Sequence, residues 1–280
     1  NWADIEDWHW ACQLQQAQAM RFGVEHMRSL EPVNAGALIW QLNDDWPVVS
    51  WAAVDFDGHR KPVWYASRDF FAPRLATIQP RVSDEYRETH SWEGVKTATD
   101  HFELIVLNDT REAWKGSWKV ERVTLAGEVL ATQSFDDVEL GAVCHIGLPL
   151  AEDIVSYGDA GNELVVATPS DNAFARVIFN PTEIIDQKLT APAEAFSIAA
   201  VAVEDGVELT VTAKSYVRDL FCMADKVDAK ALVAEGMVSL LPGESVVLHI
   251  ATADAAALAD PSAFAAANVL RSANDLKREW

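Results

Sequence analysis

A change of hydrophobic period near Pro73 constrains this chain more than any other feature. Before it, Trp10, Leu14, Ala17, Met20, Val24 and Met27 recur at steps of three and four. That spacing predicts a helix from about Ile5 to Ser29 with one apolar face. Asp4 suits its N-cap, and Glu6 and Asp7 suit the positive end of the helix dipole. After a turn through Glu31-Pro32, the short apolar run Ala37-Leu38-Ile39 reads as a parallel strand, Ala37–Gln41, covered on both faces. Pro62 fits the first turn of a second helix, where its missing N–H is not needed. Pro73 stops that helix, because a residue preceding proline avoids the α region. Helix, strand, loop, helix is the order expected for the last one and a half units of a (β/α)8 barrel.

After Pro73 the period becomes two. Candidate strands are His101–Leu107, Ser117–Leu125, Val129–Phe135, Ala142–Leu148, Glu163–Thr168 and Phe174–Phe179. Ala126-Gly127 and Ala160-Gly161 read as hairpin turns, and Asn108-Asp109 as a turn. Short strands with regular turn signals predict an antiparallel sandwich. Asn180-Pro181 marks the next break. Beyond it, Phe196–Glu204 and Val207–Ala213 flank Asp205-Gly206, a type I′ hairpin signal. Val207, Leu209, Val211 and Ala213 alternate with Glu208, Thr210 and Thr212, as in a sheet with one wet face. Leu220–Cys222 and Ser245–Ile250 extend this block, the latter after a turn at Pro242-Gly243. The predicted architecture is multidomain, α/β followed by all-β. Residues 1–73 form the barrel end, 74–179 a β-sandwich, 180–252 a smaller immunoglobulin-like sandwich, and 253–280 an alanine-rich, partly helical tail. In that tail, Asn268-Val269-Leu270 and Leu276 to Trp280 either dock as a terminal helix or trail.

Composition excludes several functions. Across 280 residues the net charge is −21, from 22 basic and 43 acidic side chains. Phosphate contacts need clustered Lys and Arg, so neither nucleic acid nor an anionic membrane is an expected partner. Half of the residues are hydrophobic, enough for real cores. No apolar run approaches the length of a membrane span. Cys12, Cys144 and Cys222 are odd in number and far apart, so they read as small core residues in a reducing, cytoplasmic compartment. Neither they nor the seven histidines have metal-ligand spacing. Asn1 is not an initiator methionine and no signal-like segment follows it, so the sequence reads as a segment of a larger protein, whose own targeting signal it does not reveal.

Seven of the eleven tryptophans precede Pro73: Trp2, Trp8, Trp10, Trp40, Trp46, Trp51 and Trp64. Gly36 to Pro47 concentrates two of them with Asn43, Asp44 and Asp45. Indole faces stack on the C–H face of a pyranose, and short amides and carboxylates bind its hydroxyls. Such a mixture at the C-terminal end of a strand is where barrel enzymes build their sites. The competing reading is a buried tryptophan before an ordinary turn.

The run from Asp4 to Pro73 resembles the end of the catalytic barrel in β-mannosidases of glycoside hydrolase family 2. The matching pieces are Glu25-His26, Trp40-Gln-Leu-Asn-Asp44, Trp46-Pro47, Ser50-Trp51, Asp55, Gly58 and Phe70-Phe71-Ala72-Pro73. The resemblance implies retaining, exo-acting hydrolysis of terminal β-mannosyl linkages, no cofactor, two sandwich domains after the barrel, and upstream barrel and N-terminal domains as partners. Retention needs two carboxyl groups about 5–5.5 Å apart. In the family these are an acid/base Glu after an Asn on strand four and a nucleophile Glu ending strand seven. Both are expected upstream of Asn1, leaving no catalytic residue in this chain. By resemblance, Trp40 forms the floor of the −1 subsite. Asn43 and Asp44 either bind hydroxyls or brace the loop as Asx turns. Trp46 either lines the pocket mouth or packs beneath the loop. Trp51, Asp55 and Trp64 read as structural, and His26 as a structural or dipole partner. Asn162-Glu163 copies the acid/base dipeptide but opens a sandwich strand, so it is rejected. Asp44-Asp45 is rejected as a dyad because neighbours on a strand point to opposite sides. Trp114 and Trp118 share a strand face, as a sugar platform or, preferably, as core. Two alternatives remain: another family 2 glycosidase of the exo-β-glucosaminidase or β-galactosidase type, and a non-enzymatic carbohydrate-binding or structural sandwich.

Overall fold

The computed structural model describes residues 4–34, 36–89 and 99–276. Trp2 and the segment beyond Leu276 lie outside the described residues. Helix α1 (Ile5–Arg28) begins as expected: the Asp4 carboxylate accepts from the Asp7 N–H at 2.9 Å. Its buried side is Asp7, Trp10, Leu14, Ala17, Val24 and Arg28. Helix α2 (Pro62–Phe70) starts on Pro62 and ends before Pro73. The two helices pack on one another, but their shared core does not end with them. It takes in Val123, Leu125, Leu164 and Val166, then Tyr216, Phe221, Met223 and Ala273. The helical pair is thereby wedged against both β regions.

The first β region is a sandwich of two antiparallel sheets. One has the order β1 (Arg74–Arg81), β2 (His101–Asn108), β5 (Cys144–Pro149). The other has the order β4 (Val129–Leu140), β3 (Trp114–Thr124), β6 (Glu163–Pro169), β7 (Val177–Phe179). Ala76, Ile78, Leu104, Val106, Val120, Val165 and Ala167 fill the space between them. Trp114 and Trp118 are buried there, edge to face at 6.4 Å, and each meets Phe174. They are core, not a sugar platform. Strand β1 escapes period analysis because it is buried on both faces, with five consecutive buried residues. Its Pro80 fits an edge strand, where a missing N–H disrupts no ladder on the open side.

The outer face of β1 is bonded to the end of α1. Thr77 donates to Glu25 at 2.8 Å, and His26 Nδ1 lies 3.1 Å from Gln79 Oε1. Arg28 donates to the Phe70 carbonyl and to Asp109, and Arg81 to the Ser29 carbonyl. Burial raises the Glu25 pKa, opposed by Arg21 and by the Thr77 hydroxyl.

The second sandwich pairs β11 (Leu232–Val233), β13 (Ser245–Ala251), β9 (Gly206–Ala213) and β8 (Phe196–Val203) against β12 (Val238–Leu240), β10 (Val217–Cys222) and β14 (Leu270–Arg271). The alternation read in β9 is real: Val207, Leu209, Val211 and Ala213 are buried. The β8–β9 turn differs from the expected one. Val203 faces Gly206, so Glu204 and Asp205 are the loop. Gly206 follows it at φ +155°, where a Cβ would lie 2.0 Å from the Ile250 carbonyl oxygen. The glycine is required by backbone approach, not by a type I′ turn.

Other expectations also shift. Ala160-Gly161 turns from a short helix, Glu152–Val155, into β6 and does not join two paired strands. Asn268 to Leu270 is not helical: Leu270 and Arg271 pair with β10 instead. The Arg271 guanidinium then reaches Asp7 of α1 at 2.8 Å and Asp275 at 3.2 Å. Cys222 is buried and Cys144 half-buried, but Cys12 is exposed on α1 and is not a core residue.

Candidate functional site

Residues 36–42 form no strand. An apolar run becomes a strand only with a neighbouring backbone to bond, and among the described residues this one has only a narrow partner. The Ala53 N–H donates to the Gln41 carbonyl at 3.0 Å and Val54 N–H to Leu42 at 2.8 Å. Isolated bridges join Asn43 to Val54 and Val54 to Arg60. The Lys61 N–H then bonds Ala53 and the Asp55 N–H bonds His59. The result is a folded ribbon, residues 40–61, lying on α1.

Polar side chains fix the ribbon from within. Asp44 is 7% exposed and accepts from the Ser50 hydroxyl at 2.6 Å. Ser50 accepts from the Ala52 N–H, and Lys61 Nζ donates to the Ser50 carbonyl. Both partners of the Asp44 carboxylate are side chains of the ribbon, Ser50 and Gln41. Asp45 is exposed, so the pair shares no reacting centre. Asp55 caps its loop by accepting from the N–H groups of Asp57 and His59, as read from sequence.

The indoles point outward. Trp40 is 76% exposed, with a cis Trp40–Gln41 peptide; Trp46 and Trp51 are each 62% exposed. Trp51 departs from its expected core role. Gln16 of α1 donates to its carbonyl at 2.6 Å, while Ala52 and Ala53 beside it are buried. The backbone is therefore held and the ring presented. Trp40 and Trp51 line one cleft of about 240 Å³, together with the amides of Gln15, Gln16 and Gln41 over an aliphatic floor. Its lining contains no carboxylate. Asn43 and Trp46 are exposed on the same ribbon but do not line this cleft. Local spacing carries no signal for Trp51, because the amide that positions it comes from 35 residues away. Trp64 is half-buried, under the Arg60 guanidinium at 4.4 Å and against Tyr65. A broader open groove of about 790 Å³ runs between α1 and Gly36 to Leu38.

Glu163 is buried in an ion pair with Arg122 and accepts from the Asp159 N–H at 2.7 Å. Although it follows Asn162 as in the acid/base dipeptide, it braces the start of β6. Among the described residues no three His, Cys, Asp or Glu side chains are grouped to hold a metal ion. Nor is any helix there long and apolar enough to cross a membrane. The arrangement can stack a flat apolar face and bond hydroxyls.

No protein-family model matches the chain. It is 34% identical over 124 residues to β-mannosidase B of Aspergillus niger, covering 42% of this chain and 14% of that protein. To β-mannosidase B of Aspergillus flavus it is 37% identical over 120 residues, covering 41% and 13%. The matched stretch is a small part of these curated relatives. A solved β-D-mannosidase from Dictyoglomus thermophilum superposes at a TM-score of 0.70 with 19% identity, over 91% of this chain and 29% of that one. An exo-chitosanase from Amycolatopsis orientalis superposes at 0.55 with 17% identity, over 89% and 32%.

Proposed function

We propose that this chain, identified as the C-terminal portion of a family 2 β-mannosidase, supplies one wall of the sugar subsite in a retaining, exo-acting enzyme. The substrate is a terminal β-D-mannoside or manno-oligosaccharide. Residues 1–73 close the catalytic barrel, residues 74–179 and 180–252 are accessory immunoglobulin-like sandwiches, and residues 253–280 are a partly helical C-terminal tail. The ribbon at 40–61 completes its pairing against barrel strands outside this chain. The reacting glutamates belong to that other part.

The observation that carries this reading is the exposed Trp40 ring on a ribbon whose backbone is otherwise tied down. Exposing an indole gives up roughly 25 cal/mol per Å² of apolar burial, so a rigidly presented ring suits a ligand. Stacking supports the sugar ring and fixes its orientation for attack. Asn43 and Trp46, exposed on the same ribbon, are assigned to hydroxyl contact and to the pocket mouth. Asp44 holds the loop that carries them. Three scattered free cysteines favour a reducing compartment.

The test is hydrolysis of a chromogenic β-mannoside by this chain alone, and by the intact enzyme with and without Trp40→Ala. The chain alone should be inactive. In the intact enzyme, Trp40→Ala should lower kcat/KM by at least roughly 10-fold, since a single missing methylene in a fitted pocket already costs about 10–200-fold. Hydrolysis by the isolated chain would refute the placement of the glutamates. The fold shared with an exo-chitosanase supports one alternative, an exo-β-glucosaminidase. A faster rate on the β-glucosaminide than on the β-mannoside would select it.

A further inference from the structure

His59 sits between two acceptors. Its Nδ1 lies 2.8 Å from Asp55 Oδ2, and its Nε2 lies 2.8 Å from the carbonyl oxygen of Ala229 in the second sandwich. Asp55 and His59 also close the ribbon through the Asp55 N–H and the His59 carbonyl. From there the bonds run through Val54 to Leu42 and through Ala53 to Gln41, next to Trp40. A neutral imidazole has one N–H and one lone pair, so it can bond only one of two acceptors. The other nitrogen would then face an oxygen with its lone pair. Only the imidazolium satisfies both.

We propose that His59 is a positioning residue for the indole cleft: with an N–H on each nitrogen it clamps the ribbon to the Ala229 loop, and loss of one proton slackens the clamp. Its importance for catalysis rests on reading the cleft as a sugar subsite; the clamp itself does not. The surrounding charges agree. Asp55 faces the ring from the ribbon, and Asp225 adds a second negative charge from the sandwich. Three cations near the clamp have other direct partners, although the Lys61 charge also acts on Asp55. Arg60 lies over Trp64, Lys61 bonds the Ser50 carbonyl, and Lys226 pairs with Glu6. Asp228 is bonded by Thr252 and by the Lys230 N–H. Burial disfavours the imidazolium, but the Ala229 carbonyl and Asp55 outweigh it, so the pKa is raised above 6.5. A group raised on folding contributes fully below 6.5, and its contribution is lost as pH rises through the folded value.

NMR titration of the 280-residue chain tests the clamp. The His59 ring should titrate above 6.5, and the indole N–H resonances of Trp40 and Trp51 should move with the same midpoint. His59→Gln should abolish that movement. His59→Arg keeps several N–H donors and a permanent charge, so it should hold the low-pH positions at every pH. A wild-type midpoint at or below 6.5, or indole resonances indifferent to it, would overturn the proposal without any variant. Failure of β-mannoside hydrolysis in the intact enzyme would sink the sugar reading and leave these resonances unaffected, so the two failures are separable.

Discussion

Trp10 offers the sharpest test of how the helices are joined to the β regions. Its side chain is 0% exposed, stacks on Phe221 of β10 at 6.2 Å, and donates its indole N–H to the Ser272 carbonyl at 2.8 Å. An aromatic side chain of this kind buries roughly 150–250 Å², or about 4–6 kcal/mol at ~25 cal/mol per Å². A compact unfolded chain lowers that by roughly 10–40%, which brings it into the ~3–5 kcal/mol range of Trp→Ala truncations. Trp10→Phe keeps most of the contact and should lose about 0.5–1.5 kcal/mol, the net worth of the hydrogen bond. Trp40→Ala provides the contrast. Its ring is 76% exposed, so the expected change is within about 0.5 kcal/mol. Urea unfolding followed by far-UV circular dichroism measures all three, with an unchanged m-value certifying comparable transitions. Because the Trp10 core includes residues of both helices and both sandwiches, the whole transition should shift. A loss below about 1 kcal/mol for Trp10→Ala, or an equal loss for Trp40→Ala, would refute the burial argument. So would two separate transitions of which only one moves.

Two further outcomes follow from buried or bridging charges. Arg271 is buried between Asp7 and Asp275, so Arg271→Ala removes the buried cation that both carboxylates face and should cost ~3–5 kcal/mol in the same urea assay; a neutral result would mean water already reaches the pair. Glu244 is opposed by burial, yet two bonds from Arg176 and one from the Leu241 N–H outweigh that and lower its pKa. Its contribution is therefore present above 4.5 and lost as pH falls through the folded value. Glu244→Gln should reduce the urea midpoint at neutral pH and flatten the decline below 4.5, and an unaltered acid limb would count against this bridge between the sandwiches.

Much of the fold was legible because local rules and tertiary demands coincide. Asp4, Pro62 and Pro73 bound the helices where capping and proline sterics require. Strand β9 reads cleanly because one of its faces is wet. Strand β1 does not, since burial on both faces erases alternation. The run at Ala37 to Ile39 has strand composition but, among the described residues, no second backbone pairs with it, and composition cannot supply one. In the site, the structural role read for Asp55 agrees with the bonds it accepts from Asp57 and His59. Trp51 and His59 do not announce themselves, because Gln16 and Ala229, which define their roles, are distant along the chain.

The polar seam between the end of α1 and strand β1 has a practical corollary. Apolar faces tolerate sliding; Glu25 on Thr77, His26 beside Gln79, and Arg81 on the Ser29 carbonyl do not, since each pair has one fitting position. The seam works as a keyed joint. A chimera spliced at Pro73, with the first sandwich taken from a relative, would separate key from lock although the cut falls in a loop. Such swaps should carry residues 25–29 together with 74–81, or the new module will dock at a different angle.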